Sequence, residues 1–150
     1  MTRTFEINLI VSVWIDYNND GHLDIFVLRG AWMEKFGEQP NSLIKNNGDG
    51  TFTDVTVKAG LLCYFPTQAA VWRDFNKDGW LDLFIGNETS NTNTIYPSQL
   101  FINNMDGTFK ECAANAGCRI IDFTKGVSAG DYNNDGFEDI YISSASGNQR

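Results

Sequence analysis

The chain has 150 residues, with 19 Asp and Glu against 11 Lys and Arg, for a formal net charge of −8. The basic residues are scattered and form no patch of the kind that phosphate binding uses, so nucleic acid is not an expected partner. No run of about 18 apolar residues occurs, which excludes an expected transmembrane helix.

The first segment, Met1–Asn8, carries Glu6 and Asn8 and lacks a small-residue cleavage site, so it does not read as a signal peptide. The apolar, β-branched run Leu9–Ile15 that follows predicts a strand. Next comes a nine-residue pattern, Asp16-Tyr-Asn18-Asn-Asp20-Gly21-His22-Leu-Asp24. It recurs as Asp74-Phe-Asn76-Lys-Asp78-Gly79-Trp80-Leu-Asp82 and as Asp131-Tyr-Asn133-Asn-Asp135-Gly136-Phe137-Glu-Asp139, with starts 58 and then 57 residues apart. Oxygen side chains at positions 1, 3, 5 and 9 around a glycine suit a hard cation such as Ca²⁺, which takes about six to eight oxygen ligands. Position 7 (His22, Trp80, Phe137) would add only its backbone carbonyl, and its side chain varies accordingly. Asp, Asn and Gly also make ordinary turns. Three copies in one register exceed what a turn requires, and crowded carboxylates repel unless a cation neutralises them. Three Ca²⁺ ions, one per loop, are therefore expected.

A helix–loop–helix calcium site is excluded, because its bidentate acid at position 12 is replaced by Val27, Ile85 and Ile142. Each loop is instead followed by a strand-like run: Leu23–Leu28, Leu81–Ile85 and Glu138–Ile142. Later in each of the first two units, Leu43–Phe52 and Leu100–Phe109 repeat an Asn-Asn-x-Asp-Gly-Thr-Phe stretch 57 residues apart. Asp-Gly between β-prone segments is a hairpin signal, so Asp49 and Asp106 read as turn formers rather than ligands. One unit is thus strand, loop, strand, longer connection, strand, tight turn, strand. That order predicts an all-β chain of β-propeller blades, each a four-stranded antiparallel sheet. Blade 1 is expected over about residues 9–57, blade 2 over about 68–113 and half of blade 3 over about 125–144.

These motifs resemble FG-GAP/VCBS-type repeats, the calcium-loop blades of integrin α-subunit propellers and of bacterial surface and secreted proteins. The likeness is nearest to the bacterial form that accompanies ASPIC/UnbV-type domains. The resemblance implies a structural Ca²⁺ in each inter-strand loop, with ligand recognition left to other loops. Position by position, the implied ligands are Asp16, Asn18, Asp20, His22 and Asp24; Asp74, Asn76, Asp78, Trp80 and Asp82; and Asp131, Asn133, Asp135, Phe137 and Asp139.

A closed propeller needs about four to eight blades, so 150 residues make an incomplete one of about two and a half. Either the sequence is a fragment of a longer protein or several chains complete the ring. The fragment is favoured, since the sequence stops just after the second strand of its third unit. Neighbouring blades of the same propeller are then the first expected partners.

The expected function is adhesion, or binding of protein or glycan, by an extracellular, cell-surface or periplasmic module. Calcium supply supports that location, because extracellular modules bind Ca²⁺ at about 10⁻⁴–10⁻³ M. The connections Gly30–Ser42 and Asn87–Ser98 are the candidate recognition loops, or ordinary solvated connections. Their Trp32, Phe36 and Tyr96 are either exposed binding aromatics or packed on the blade. The alternative function is a scaffold segment of a larger secreted enzyme, such as a carbohydrate-active protein. Catalysis by this chain is not expected: Glu34, Glu38, Glu88 and Asp122 stand in no recurring arrangement, and His22 is the single histidine. Trp14 and Trp72, at equivalent places, read as blade core. The odd count of Cys63, Cys112 and Cys118 leaves a Cys112–Cys118 bridge and idle thiols both open.

Overall fold

The computed structural model describes residues 9–90 and 94–145. The reading of Met1–Asn8 lies outside these residues, as do residues 91–93 of the second long connection and the side chain of Glu34. Ten strands form three antiparallel sheets and no α-helix occurs among the described residues. The first sheet holds β1 (Leu9–Ile15), β2 (Asp24–Arg29), β3 (Ser42–Asn46) and β4 (Phe52–Asp54), in that spatial order. The second holds β5 (Thr67–Arg73), β6 (Asp82–Asn87), β7 (Gln99–Asn103) and β8 (Phe109–Glu111), again in chain order. The third pairs β9 (Thr124–Gly130) with β10 (Asp139–Ser144). These are blades of a partial β-propeller, two of four strands and one of two.

A meander of this kind sorts its connections by end. The three nine-residue loops join β1–β2, β5–β6 and β9–β10. The Asp-Gly turns join β3–β4 and β7–β8 at that same end. The long connections after β2 and β6, the first of which contains a short 3₁₀ turn at Glu34–Gly37, lie at the opposite end.

Side-chain alternation explains how the sheets stack, because successive residues of a strand point to opposite faces. In β6, every residue from Asp82 to Asn87 is buried. Leu83 and Ile85 enter a core shared with the first sheet, alongside Phe26, Leu28, Leu43, Trp72, Phe101 and Phe109. Phe84 points the other way, into a second core with Leu100, Ala113 and Ile142, against which Val127 packs. The second and third sheets approach closely at Gly86, where an added Cβ would meet Thr124 Cγ2 at 2.5 Å and Val127 Cγ2 at 2.7 Å. Only glycine fits there.

Buried polar groups join the sheets at the end away from the nine-residue loops. Asn41 donates from Nδ2 to Thr67 Oγ1 at 2.8 Å, and the Thr67 hydroxyl donates to Asn87 Oδ1 at 2.8 Å. Glu88, also buried, accepts the Trp32 N–H at 2.7 Å and pairs with Lys125, so one carboxylate ties all three sheets. Such networks are stabilising where every member is satisfied.

The cysteines are free thiols, and Cys112 and Cys118 pack against the second core. Burial pushes both thiols up in pKa, away from the reactive thiolate.

Trp14 departs from its expected place in the core. Trp72 is 4% exposed because Phe26 of the first sheet covers it, whereas Trp14 is 57% exposed. Repeat spacing sets which face a tryptophan occupies. A neighbouring sheet decides whether that face is covered.

Candidate metal centre

The three loops share one backbone. Position 6 has positive φ in every copy (Gly21 83°, Gly79 86°, Gly136 85°), a conformation that costs glycine nothing. Position 4 is also left-handed, at Asn19 (53°), Lys77 (62°) and Asn134 (59°). Asn tolerates that region because its side chain is short and polar. Lys77 takes the same strain in the second loop and lays its Nζ over the Phe137 ring of the third, 3.6 Å from the centroid.

These two left-handed turns aim backbone amides inward, and the position-1 aspartate collects them. Asp16 accepts the N–H groups of Asp20 (3.1 Å) and Gly21 (2.9 Å). Asp74 accepts those of Asp78 (3.0 Å) and Gly79 (2.8 Å), and Asp131 those of Asp135 (3.1 Å) and Gly136 (2.7 Å). The position-5 aspartate accepts the N–H of position 7 in each copy, from His22, Trp80 and Phe137. The position-3 asparagine donates its amide to that same aspartate: Asn18 to Asp20, Asn76 to Asp78 and Asn133 to Asp135. All the predicted side-chain donors of one copy therefore share one loop.

Position 9 is different in kind. Asp24 and Asp82 are fully buried at the first residue of β2 and β6. Each is gripped from two sides: Asp24 by the N–H groups of Tyr17 (3.3 Å) and Asn46 (2.7 Å), Asp82 by those of Phe75 (3.0 Å) and Asn103 (2.8 Å). Burial pushes both carboxyls up in pKa, and the neighbouring acids of the same loop add repulsion, Asp20 and Asp16 in one case and Asp78 and Asp74 in the other. At Asp20, burial opposes the charge, but the Asn18 amide, the His22 N–H and Lys45 outweigh it and hold the carboxyl below its usual range.

The donor set fits a hard cation in type: three carboxylates, one amide oxygen and one peptide carbonyl per loop, five groups that reach the lower end of calcium's range where a carboxylate binds through both oxygens. In the first two loops negative charge is buried at position 9 under repulsion from neighbouring acids, which a divalent ion relieves. Among the described residues, however, no three acidic, histidine or cysteine side chains converge as a preformed cage. The carboxylates are turned to the loop's own amides. The fit thus rests on donor chemistry and buried charge.

Two asparagines of the third strands escaped the spacing argument. Asn46 and Asn103 sit inside the second repeated stretch, which signalled a turn. Their backbone amides instead clamp the position-9 aspartates. Asn103 also donates from Nδ2 to the Tyr17 carbonyl (2.9 Å) of the preceding loop and to Leu81 O (3.1 Å). Asp49 and Asp106 do cap their turns, each accepting the N–H and hydroxyl of the threonine two residues on, Thr51 and Thr108.

The described candidates for acid–base chemistry are engaged elsewhere. Tyr96 donates its hydroxyl to Glu38 at 2.6 Å, Glu88 pairs with Lys125, and Asp122 accepts the Ser144 hydroxyl at 2.6 Å. They form no common site.

A family model described as FG-GAP-like repeat matches residues 16–85 and again residues 74–142. The chain belongs to the FG-GAP-like repeat family. Each match runs from the first aspartate of one nine-residue loop into the strand after the next, so the FG-GAP unit overlaps two adjacent blades. FG-GAP repeats are a non-catalytic fold typical of extracellular and cell-surface proteins. Among the described residues, no helix is long and apolar enough to cross a membrane. A comparison with curated proteins finds no match.

Proposed function

We propose that this chain is a calcium-stabilised FG-GAP repeat module that acts in adhesion, or in protein or glycan binding, on or outside the cell. Ca²⁺ is structural in this reading, one ion per loop. The observation that carries it is the fully buried aspartate at position 9 of the first two loops, Asp24 and Asp82, each fixed to the next strand and pressed by two like charges of its own loop; the third loop follows by its matching motif. An ion there would link loop to sheet and make the fold itself calcium-dependent. Asp16, Asn18, Asp20, Asp24 and the His22 carbonyl would hold the first ion, with the equivalent residues for the other two.

Recognition belongs to the opposite end of the sheets. Trp32 is 64% exposed, yet its N–H is held by Glu88 and its ring lies 3.1 Å from the Lys125 ammonium, measured to the centroid. An exposed aromatic held rigid loses little entropy on binding a partner. Phe36 is likewise exposed on the same connection, whereas Tyr96 is buried and packs on Phe65. The engaged acids also suit the second reading, a scaffold segment of a larger secreted enzyme.

Thermal melts of the chelator-stripped chain, alone and with Ca²⁺ or Mg²⁺, test the proposal. Ca²⁺ is expected to raise Tm more than Mg²⁺ does, since flexible all-oxygen loops favour the larger ion. A variant with Asp16, Asp74 and Asp131 all changed to Asn should lose the response. An unchanged melt in Ca²⁺ would overturn the metal reading.

A further inference from the structure

The three loops carry the same donors but not the same neighbours. In each, one oxygen of the position-5 aspartate is taken by the loop's own backbone: Oδ1 of Asp20, Asp78 and Asp135 accepts the N–H of position 7. The second oxygen, Oδ2, is therefore the one that a cation would take. In the second and third loops its hydrogen bond is the amide of the position-3 asparagine. In the first loop an ammonium holds it as well, with Lys45 Nζ 3.1 Å from Asp20 Oδ2. Among the described residues, no other predicted ligand forms a salt bridge. Lys77 attracts Asp135 of the third loop, but its ammonium faces the Phe137 ring rather than a carboxylate oxygen.

The difference is written in β3. Lys45 precedes Asn46, whose amide clamps Asp24, so this strand reaches the first loop at two places. Its counterpart on β7, 57 residues on, is Ile102. By strand alternation Lys45 shares the face of Leu43, which turns to the second sheet. Ile102 shares the face of Leu100 and packs on the second core, where it offers nothing to Asp78. The Lys45 and Asp20 side chains stay 33% and 29% exposed. Water screens a pair of that exposure and leaves it weak, so a divalent ion can displace it. A released Lys45 has space at hand: it lines a hollow of about 330 Å³ between the first two sheets, with Asn18, Lys58 and Trp80.

We infer that Lys45 is a tethered competitor for the first calcium site. Its ammonium occupies the Asp20 oxygen that the ion needs, and it holds the first loop's affinity below what the loop's own donors would give. The second loop has no such brake. The inference rests on the calcium reading and adds a specific inequality between loops of one sequence pattern.

Calcium titration of the chelator-stripped chain, followed by amide NMR, tests it, because the Gly21, Gly79 and Gly136 N–H signals report one loop each. Lys45→Gln removes the charge from a part-exposed position and should fold as the wild type. It is expected to lower the Ca²⁺ midpoint at Gly21 by about two- to fivefold, the scale of an exposed ion pair, and to leave Gly79 unmoved. Lys45→Arg keeps the charge and should keep the wild-type midpoint, which a role in packing alone does not predict. If Gly79 responds to Ca²⁺ but the Gly21 midpoint is absent or is not lowered by Lys45→Gln, the inference falls and the calcium reading stands. Equal tightening at Gly21 and Gly79, or equal tightening by Gln and Arg, would also overturn it. Silence of all three glycines would overturn both.

Discussion

The second sheet and its two neighbours carry the same motifs under different cover. The second is packed on both faces, so Trp72 and Phe109 are buried, and Asp82 lies buried against its third strand, as Asp24 does. Their counterparts Trp14 and Phe52 in the first sheet are exposed, and Asp139 in the third is partly so. Asp139 accepts the Tyr132 N–H at 3.1 Å, but no third-strand amide holds its second oxygen among the described residues. Identical spacing therefore produces identical loops, while burial, and with it energy, comes from the neighbouring strand or sheet.

Substitutions at paired repeat positions can break that comparison. The largest difference is expected at the tryptophans. Trp72→Ala should cost about 3–5 kcal/mol, the range for emptying an aromatic site in a core, and Trp14→Ala under about 1 kcal/mol. Urea unfolding of the two variants measures this, and equal losses would mean that cover is not what matters.

A smaller difference should separate the position-9 aspartates. In chelator, Asp82→Ala leaves the buried amide of Asn103 without an acceptor, at about 1–3 kcal/mol, while the part-buried amide of Phe75 turns to water. Asp139→Ala frees one amide in an exposed loop and should cost about 1 kcal/mol or less. The same unfolding measurement resolves the two, and it sharpens the comparison because the loops have the same local geometry.

The smallest effect should appear where cover does not differ at all. Asp49 and Asp106 are both held below the usual carboxylate range by the hydroxyl and the N–H of Thr51 and Thr108. Each folded-state pKa lies below its unfolded value of 3.8. Stability from these turns is therefore complete above that pH and is lost as pH falls through the folded value. Asp49→Asn and Asp106→Asn should each flatten the acid limb of stability slightly and to the same degree. Unequal flattening would show that these turns feel their surroundings.

The strands and loops were legible because they depend on residues close in sequence. Short apolar, β-branched and aromatic runs placed β1, β2, β6 and β10, and the aspartate spacing placed the nine-residue loops. What the spacing missed depends on pairs far apart in the chain. Asn103 reaches the Tyr17 carbonyl across 86 residues, and Lys125 reaches Glu88 across 37. Nothing within either neighbourhood marks those partners. Tyr96 was similarly open, since a polar loop such as 87–98 does not reveal that the ring packs on Phe65 and the hydroxyl on Glu38. Trp14 misled for the converse reason: its repeat position is that of a core residue, but the covering sheet is not a local property.

Calorimetric titration of the chelator-stripped chain with Ca²⁺ tests the central claim most directly. Three sites are expected near the 10⁻⁴–10⁻³ M range of extracellular modules, with the first two loops binding more tightly than the third. Their position-9 aspartates are already held by a third strand, so less ordering accompanies binding. Asp82→Ala should remove a tight site and Asp139→Ala the weak one. The absence of binding heat, together with an unchanged melt at saturating Ca²⁺, would contradict the account.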